Sequence, residues 1–398
     1  MGFRAFPLDG KLLRFDRTTG ENQLWTGDET ATLRQRAPRV LQVAITNVCN
    51  KSCAFCYRPM DAESAWTFDD LLALARVADR WGVLELAFGG GEPTVFPRFA
   101  ELVRAVWTET GLCPSFTTNG SRLTPALLRS LRGSYGQIQL SIYDDDDYHA
   151  VIELLAAERA RFGLNYLVTP ARLPTLEADV AAFAARGVRD ILLLSYKGRD
   201  PALHLTPAQQ ARFDEGVARL HRVLSIASPT DVGRAAALQA VRRSIASPTD
   251  VGRAAAPQAV RRSIASPTDV GRAAAPQAVR RSIASPTDLG RAAAPQAVRR
   301  SIDLKVDVCW GERLHHTPRL FEDGDCGAGS LFLSITSDRR VLACSFADDG
   351  PRLTSPEELP RIWAELRAAR PAAPKPGCAR LPAFGLANTS LRVVQAKE

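Results

Sequence analysis

An α/β fold built on a parallel sheet is what this sequence predicts, and two observations carry the prediction. Short apolar runs rich in β-formers alternate with helical runs along the first 225 residues. Six β-α units in a row then call for parallel strands joined by right-handed crossovers.

In chain order, Leu12 to Trp25 reads as two short strands around a Thr-Gly turn, a hairpin packed on the end of the sheet. Strands follow at Leu41–Thr46, Leu84–Phe88, Ser115–Thr118, Gln137–Tyr143, Asn165–Thr169 and Ile191–Ser195. Helical stretches separate them. Phe68 to Arg80 places Leu71, Leu72, Leu74, Ala75 and Ala78 on one apolar face, and Thr206 caps a helix over Pro207 to Val223.

The 398 residues are 45% hydrophobic, enough for one large core or two smaller ones. No run of eighteen apolar residues occurs and the first ten residues hold no apolar signal core, so the chain reads as cytoplasmic and soluble, without a membrane partner. Eight cysteines in such a chain suit thiolate ligation in a reducing compartment rather than a disulfide framework.

A net charge of +8 would ordinarily point to nucleic acid. Residues 225–300, however, are four tandem copies of one 19-residue unit, altered only at Leu238 and Leu289. Each copy carries three arginines and one aspartate, so the four hold 12 positive and 4 negative charges; taking these from 51 and 43 leaves 39 of each. The repeats hold all of the excess, which argues against a nucleic-acid partner. With one Ile, two Val or Leu in most copies and frequent Gly and Pro, a copy lacks the apolar face a stacked solenoid unit needs. It reads as a surface insertion, mobile or weakly helical, since loops accept long insertions at small entropic cost.

Cys49, Cys53 and Cys56 stand in a C-x3-C-x2-C spacing just after the first of the six strands. Thiolates this close reach one centre only when the chain loops around it, as at an iron-sulfur site. A zinc knuckle would want a fourth ligand nearby, and Cys113 and His149 are far off in sequence. A Cys53–Cys56 disulfide would be strained. Cys113 itself, between Leu112 and Pro114, reads as core packing.

Cys49-x3-Cys53-x-Phe55-Cys56, followed by Gly89-Gly90-Gly91-Glu92-Pro93 after the next strand, resembles the radical S-adenosylmethionine (radical SAM) superfamily. The resemblance implies a partial (β/α)6 barrel with its site at the strand carboxyl ends. It further implies a 4Fe-4S cluster on the three cysteines, whose open iron chelates S-adenosylmethionine for reductive cleavage to a 5'-deoxyadenosyl radical, and an electron donor such as ferredoxin or flavodoxin. On this resemblance Gly90, Gly91 and Glu92 hold the cofactor, Glu92 pairing with its ammonium. Asn119 in Thr117-Thr-Asn-Gly120 and Ser141 contact its carboxylate or ribose. Asp144 matches the aspartate of the family's Ser-x-Asp pattern, displaced by one residue. Arg172 is a further candidate for the cofactor carboxylate.

Cys309, Cys326, Cys344 and Cys378 fall in the last ninety residues. Two alternating strands meeting at Ser337-Asp338 bring Cys326 and Cys344 together. This resembles the SPASM or shorter twitch extension of peptide-modifying radical SAM enzymes, which implies one auxiliary 4Fe-4S cluster held by Cys326, Cys344 and Cys378, with Cys309 the candidate for a fourth ligand; four would close the cluster and three would leave it open to substrate. Arg339 stands where that pattern has a turn glycine. The organisation expected is an N-terminal hairpin at 1–38, the barrel at 39–224, the repeats at 225–300 and a twitch-like domain at 301–398. The function implied is peptide modification. A radical enzyme of small-molecule cofactor biosynthesis is the alternative, and an iron-sulfur scaffold with a repeat arm is the non-catalytic one.

Overall fold

The computed structural model describes residues 2–56, 58, 61–142, 147–198, 200–226, 303–307, 310, 327–347 and 349–370. It opens with a three-stranded antiparallel sheet, β1 Arg4–Leu8, β2 Lys11–Phe15 and β3 Asn22–Thr26. The hairpin legible in the sequence is β2–β3. Pro7 obscures β1, which lies at the sheet edge, where a residue without an N–H is tolerated.

Six β-α units follow: β4 Val40–Thr46 and α1 Phe68–Trp81, β5 Glu85–Gly90 and α2 Phe99–Glu109, β6 Cys113–Thr118 and α3 Pro125–Leu131, β7 Ile138–Ser141 and α4 Tyr148–Ala157, β8 Phe162–Val168 and α5 Leu176–Ala185, β9 Asp190–Ser195 and α6 Pro207–Ile226. Local chemistry sets the boundaries. For α1, Thr67 and Asp70 form a reciprocal capping box and Gly82 ends the helix in the left-handed conformation. β8 starts three residues before the expected strand because Gly163 does not break it. A Cβ there would lie 2.6 Å from Gln139 Oε1 and 2.9 Å from Asp190 Oδ1 on the flanking strands, so the missing side chain leaves room for theirs.

The strands run in the order β10-β9-β8-β7-β6-β5-β4-β11-β12. β10 Asp303–Val306 pairs parallel with β9, β11 Phe332–Ile335 pairs parallel with β4, and β12 Val341–Leu342 turns back antiparallel on β11. Two strands from beyond residue 300 thus complete the barrel sheet on either side of the six. The turn between β11 and β12 carries Arg339 at φ +68, the region that favours glycine. Its guanidinium bonds to the Ala65 carbonyl and to Asp70 and lies over the Trp66 ring, contacts that offset the backbone cost.

One buried core joins Ile45, Leu86 and Phe116 of the strands to Leu71 and Leu74 of α1 and Leu102 and Val106 of α2. It extends to Phe6 and Leu13 of the small sheet and to Ile362 and Trp363 of α7 Leu359–Ala368. Arg17 donates to the carbonyls of Trp107, Thr110 and Leu112, at 3.0, 2.7 and 3.0 Å, and Arg161 donates to the Arg17 carbonyl. These bonds fasten the small sheet to the amino ends of β6 and β8, leaving the carboxyl ends free for the site. No helix among the described residues is long and apolar enough to cross a membrane.

The repeats lie outside the described residues. α6 ends two residues into the first copy, and β10, the strand it feeds, begins at Asp303. Because Ser301-Ile302 repeats Ser225-Ile226, deleting 225–300 leaves the sequence of α6 unchanged through Ile226. We propose that the copies are an insertion in this α-to-β connection, where a few residues suffice. The deletion is expected to shift the thermal midpoint by no more than about 3 °C. Loss of cooperative melting, followed by circular dichroism, would contradict that.

Candidate active site

The carboxyl ends of the strands surround a cavity of about 330 Å³. Gln42 of β4, Ala87 of β5, Thr117 of β6, Ser141 of β7, Asn165 of β8 and Leu194 of β9 all face it, so the sheet curls around this space as a partial barrel.

The loop after β4 holds Cys49, Cys53 and Cys56, and all three line the cavity, Cys56 the most exposed. The loop is closed at its base by Asn47. Its N–H donates to Ser64 Oγ at 2.7 Å and its amide to the Ala62 carbonyl at 2.8 Å, while Arg58 donates to Asn47 O and Oδ1. Among the described residues no three Cys, His, Asp or Glu side chains are gathered into a metal cage. The donor set itself, three thiols on one loop facing one cavity, fits an iron-sulfur cluster.

Gly90 and Gly91 have a steric reason. Gly91 N–H donates to the Thr46 carbonyl at 2.8 Å and Glu92 N–H to the Val48 carbonyl at 2.9 Å, which lays the turn directly on the cysteine loop. A Cβ on Gly90, whose φ is +108, would sit 2.3 Å from Thr46 O, and one on Gly91 would sit 2.1 Å from Val48 O.

Glu92 is 1% exposed. Its Oε1 accepts from the hydroxyls of Thr94 and Thr118 at 2.6 and 2.8 Å, and its Oε2 from Asn119 N–H at 2.8 Å. Glu92 therefore braces the turn after β5 against the turn after β6. Asn119 continues the chain of bonds, donating to Asn50 Oδ1 at 3.0 Å, and Asn50 donates to Ser121 Oγ at 2.6 Å. Cysteine loop, Gly-Gly-Glu turn and Thr-Thr-Asn-Gly turn are one hydrogen-bonded unit.

Ser141 ends β7 on the cavity wall, with the Asn165 amide 3.5 Å from its hydroxyl. Arg172 is not among the residues lining the cavity; its guanidinium lies over the Tyr166 ring. Asp144, Cys309, Cys326 and Cys378 lie outside the described residues. Cys344 is half-buried beyond β12 and precedes Ser345 and Phe346, which line the cavity. Cys113 is buried in the core, where burial first and the Glu85 charge second push its thiol up to about 12.

Sequence reasoning missed Lys197 and Asn165, both on the cavity wall, and Asp307, which holds Lys197. None belongs to a motif. The one available signal was a charged residue immediately after an apolar strand.

Residues 43–162 match the model of the radical SAM superfamily. A probable GTP 3',8-cyclase of Methanocella arvoryzae is 35% identical over 96 residues, 24% of this chain and 30% of the relative. A PqqA peptide cyclase of Ruegeria pomeroyi is 34% identical over 121 residues, 29% of this chain and 32% of the relative. The matched stretch thus spans about a third of each curated relative. Among solved structures, Streptococcus suis SuiB superimposes with a TM-score of 0.56 at 12% identity, covering 93% of this chain and 90% of that one. SuiB is also known bound to S-adenosylmethionine and to its precursor peptide SuiA. The radical SAM family uses a 4Fe-4S cluster with S-adenosylmethionine. With its cysteine loop and Gly-Gly-Glu turn joined at the mouth of a partial barrel, this chain carries a domain of the radical SAM superfamily.

Proposed function

We propose that the protein is a radical SAM enzyme that modifies a peptide. The observation carrying the reading is the single cavity shared by the three cysteines, the Gly-Gly-Glu turn and the wall of Ser334 to Ser337, Ser345 and Phe346 supplied from beyond residue 300. When bound, the cluster and S-adenosylmethionine supply a 5'-deoxyadenosyl radical that removes a hydrogen atom from the substrate. Cys49, Cys53 and Cys56 hold the cluster, and Gly90, Gly91 and Glu92 keep the turn beside it at a fixed height. Asn119 and Ser141, both on the cavity wall, orient the cofactor in this reading, and Asp144 joins them by its resemblance to the family pattern. Leu167, Leu192 and Leu194 line the β8–β9 side of the cavity and exclude water from the reacting atoms.

A peptide substrate is supported by the PqqA peptide cyclase relative and by the fold shared with SuiB. An auxiliary cluster on Cys309, Cys326, Cys344 and Cys378 belongs to the same proposal; Cys344, next in sequence to the cavity wall, supports it. The GTP 3',8-cyclase relatives favour a second reading, a radical enzyme acting on a nucleotide.

The two readings separate on isotope transfer. The reconstituted enzyme is given S-adenosylmethionine and dithionite with either a perdeuterated peptide pool or deuterated GTP. Deuterium in 5'-deoxyadenosine is expected from the peptide pool. Transfer from GTP alone would replace this reading with the second, and cleavage with transfer from neither would contradict both.

A further inference from the structure

Five strands along the sheet from β4, the cavity wall carries a buried charge pair. Lys197, two residues past β9, is 6% exposed, and Asp307, directly after β10, is 1% exposed. The Lys197 ammonium donates to Asp307 Oδ2. The same oxygen accepts from the N–H and the hydroxyl of Ser195 at 3.3 and 3.2 Å. The Phe346 ring centre lies 5.4 Å from Lys197 Nζ, and the neighbouring Ser345 hydroxyl is buried without a hydrogen-bond partner among the described residues.

Stability alone gives little reason for this arrangement, because a buried ion pair gains little over well-packed apolar residues of the same volume. Position gives a reason, since a buried charge in a cleft is where function concentrates. An ammonium has three donors. One is used on Asp307, and Lys197 makes no other hydrogen bond among the described residues, so donor capacity remains at the cavity wall.

Charge then decides what that donor receives. Asp307 neutralises Lys197, so a phosphate or carboxylate placed beside the pair would be a buried anion without a counter-charge. An uncharged carbonyl oxygen accepts the hydrogen bond and adds no charge. Among the described residues the other cations lining the cavity, Lys51 and Arg58, belong to the cysteine loop, where the negative cluster would sit. We propose that Lys197, oriented by Asp307, binds an amide carbonyl of the substrate and thereby selects a peptide over a nucleoside triphosphate. This rests on the peptide-modifying reading above and names the residue that carries its specificity.

The test uses ligand-observed NMR on the reconstituted full-length protein with two probes, N-methylacetamide for the amide and inorganic tripolyphosphate for the anion. Wild type is compared with the charge-conserving double variant Lys197→Met/Asp307→Asn, its fold checked by circular dichroism. Saturation transfer to N-methylacetamide is expected to fall at least about threefold in the double variant, with the tripolyphosphate phosphorus line width equal in both proteins. An amide signal indifferent to the substitutions would make the pair structural only. Tripolyphosphate broadened by wild type and not by the double variant would make it an anion site. Should the double variant not fold, crystals of wild type soaked in N-methylacetamide give the same decision: amide oxygen within hydrogen-bond reach of Lys197 Nζ supports the proposal, and its absence overturns it. Neither probe is consumed, so the outcome does not depend on whether the cofactor is cleaved.

Discussion

Gly91→Ala is expected to lose most of the iron the protein takes up on reconstitution, whereas Gly89→Ala, two residues earlier, keeps it. The two glycines lie in one run, Gly89-Gly90-Gly91, yet their surroundings differ. A Cβ on Gly89 meets nothing within 4 Å, while one on Gly91 would stand 2.1 Å from Val48 O and 2.6 Å from Val48 C. Those atoms are backbone, so relief comes only from moving the cysteine loop off the turn. The bonds from Gly91 to Thr46 and from Glu92 to Val48 would stretch with it. A stability loss of about 1–3 kcal/mol is the expected accompaniment. Iron content and the denaturation midpoint measure the two effects separately; equal iron retention in both variants would refute the steric account.

Glu92→Leu is expected to cost about 3 kcal/mol or more, by orphaning the donors of buried Thr118 and Asn119 and of half-buried Thr94 at once. Glu92→Gln keeps the shape and one acceptor oxygen, so about half that loss is expected. Cofactor binding should fall in both, because the turn after β6 loses its tie to the turn after β5. Urea denaturation and equilibrium binding of S-adenosylmethionine report the two losses. Unchanged stability in Glu92→Leu would show that the carboxylate is not the brace its hydrogen bonds describe.

The legible parts of this fold were those written in local pattern. The six alternating units, the apolar face of α1 and the turn at Ser337-Asp338 follow from residues near one another in sequence. The cysteine loop and the Gly-Gly-Glu turn were legible for the same reason. Long-range pairing was not: the alternation at Phe332–Ile335 announces a strand but not that its neighbour is β4, nearly three hundred residues earlier. Glu92 shows the same limit inside the site. Its motif drew attention to the cofactor, while its bonds to Thr118 and Asn119 needed the register of β5 on β6. Lys197 and Asp307 lie farther still from any motif, just past the ends of two strands separated by the whole repeat region.

The central claim is that the loop of Cys49, Cys53 and Cys56 holds a cluster that cleaves S-adenosylmethionine. Its most direct test is anaerobic reconstitution with iron and sulfide, then dithionite and S-adenosylmethionine, with 5'-deoxyadenosine quantified by chromatography. The account predicts 5'-deoxyadenosine from the wild-type protein and none from the triple variant Cys49→Ala/Cys53→Ala/Cys56→Ala. A wild-type protein carrying its cluster and forming no 5'-deoxyadenosine, or a triple variant forming as much as wild type, would contradict it.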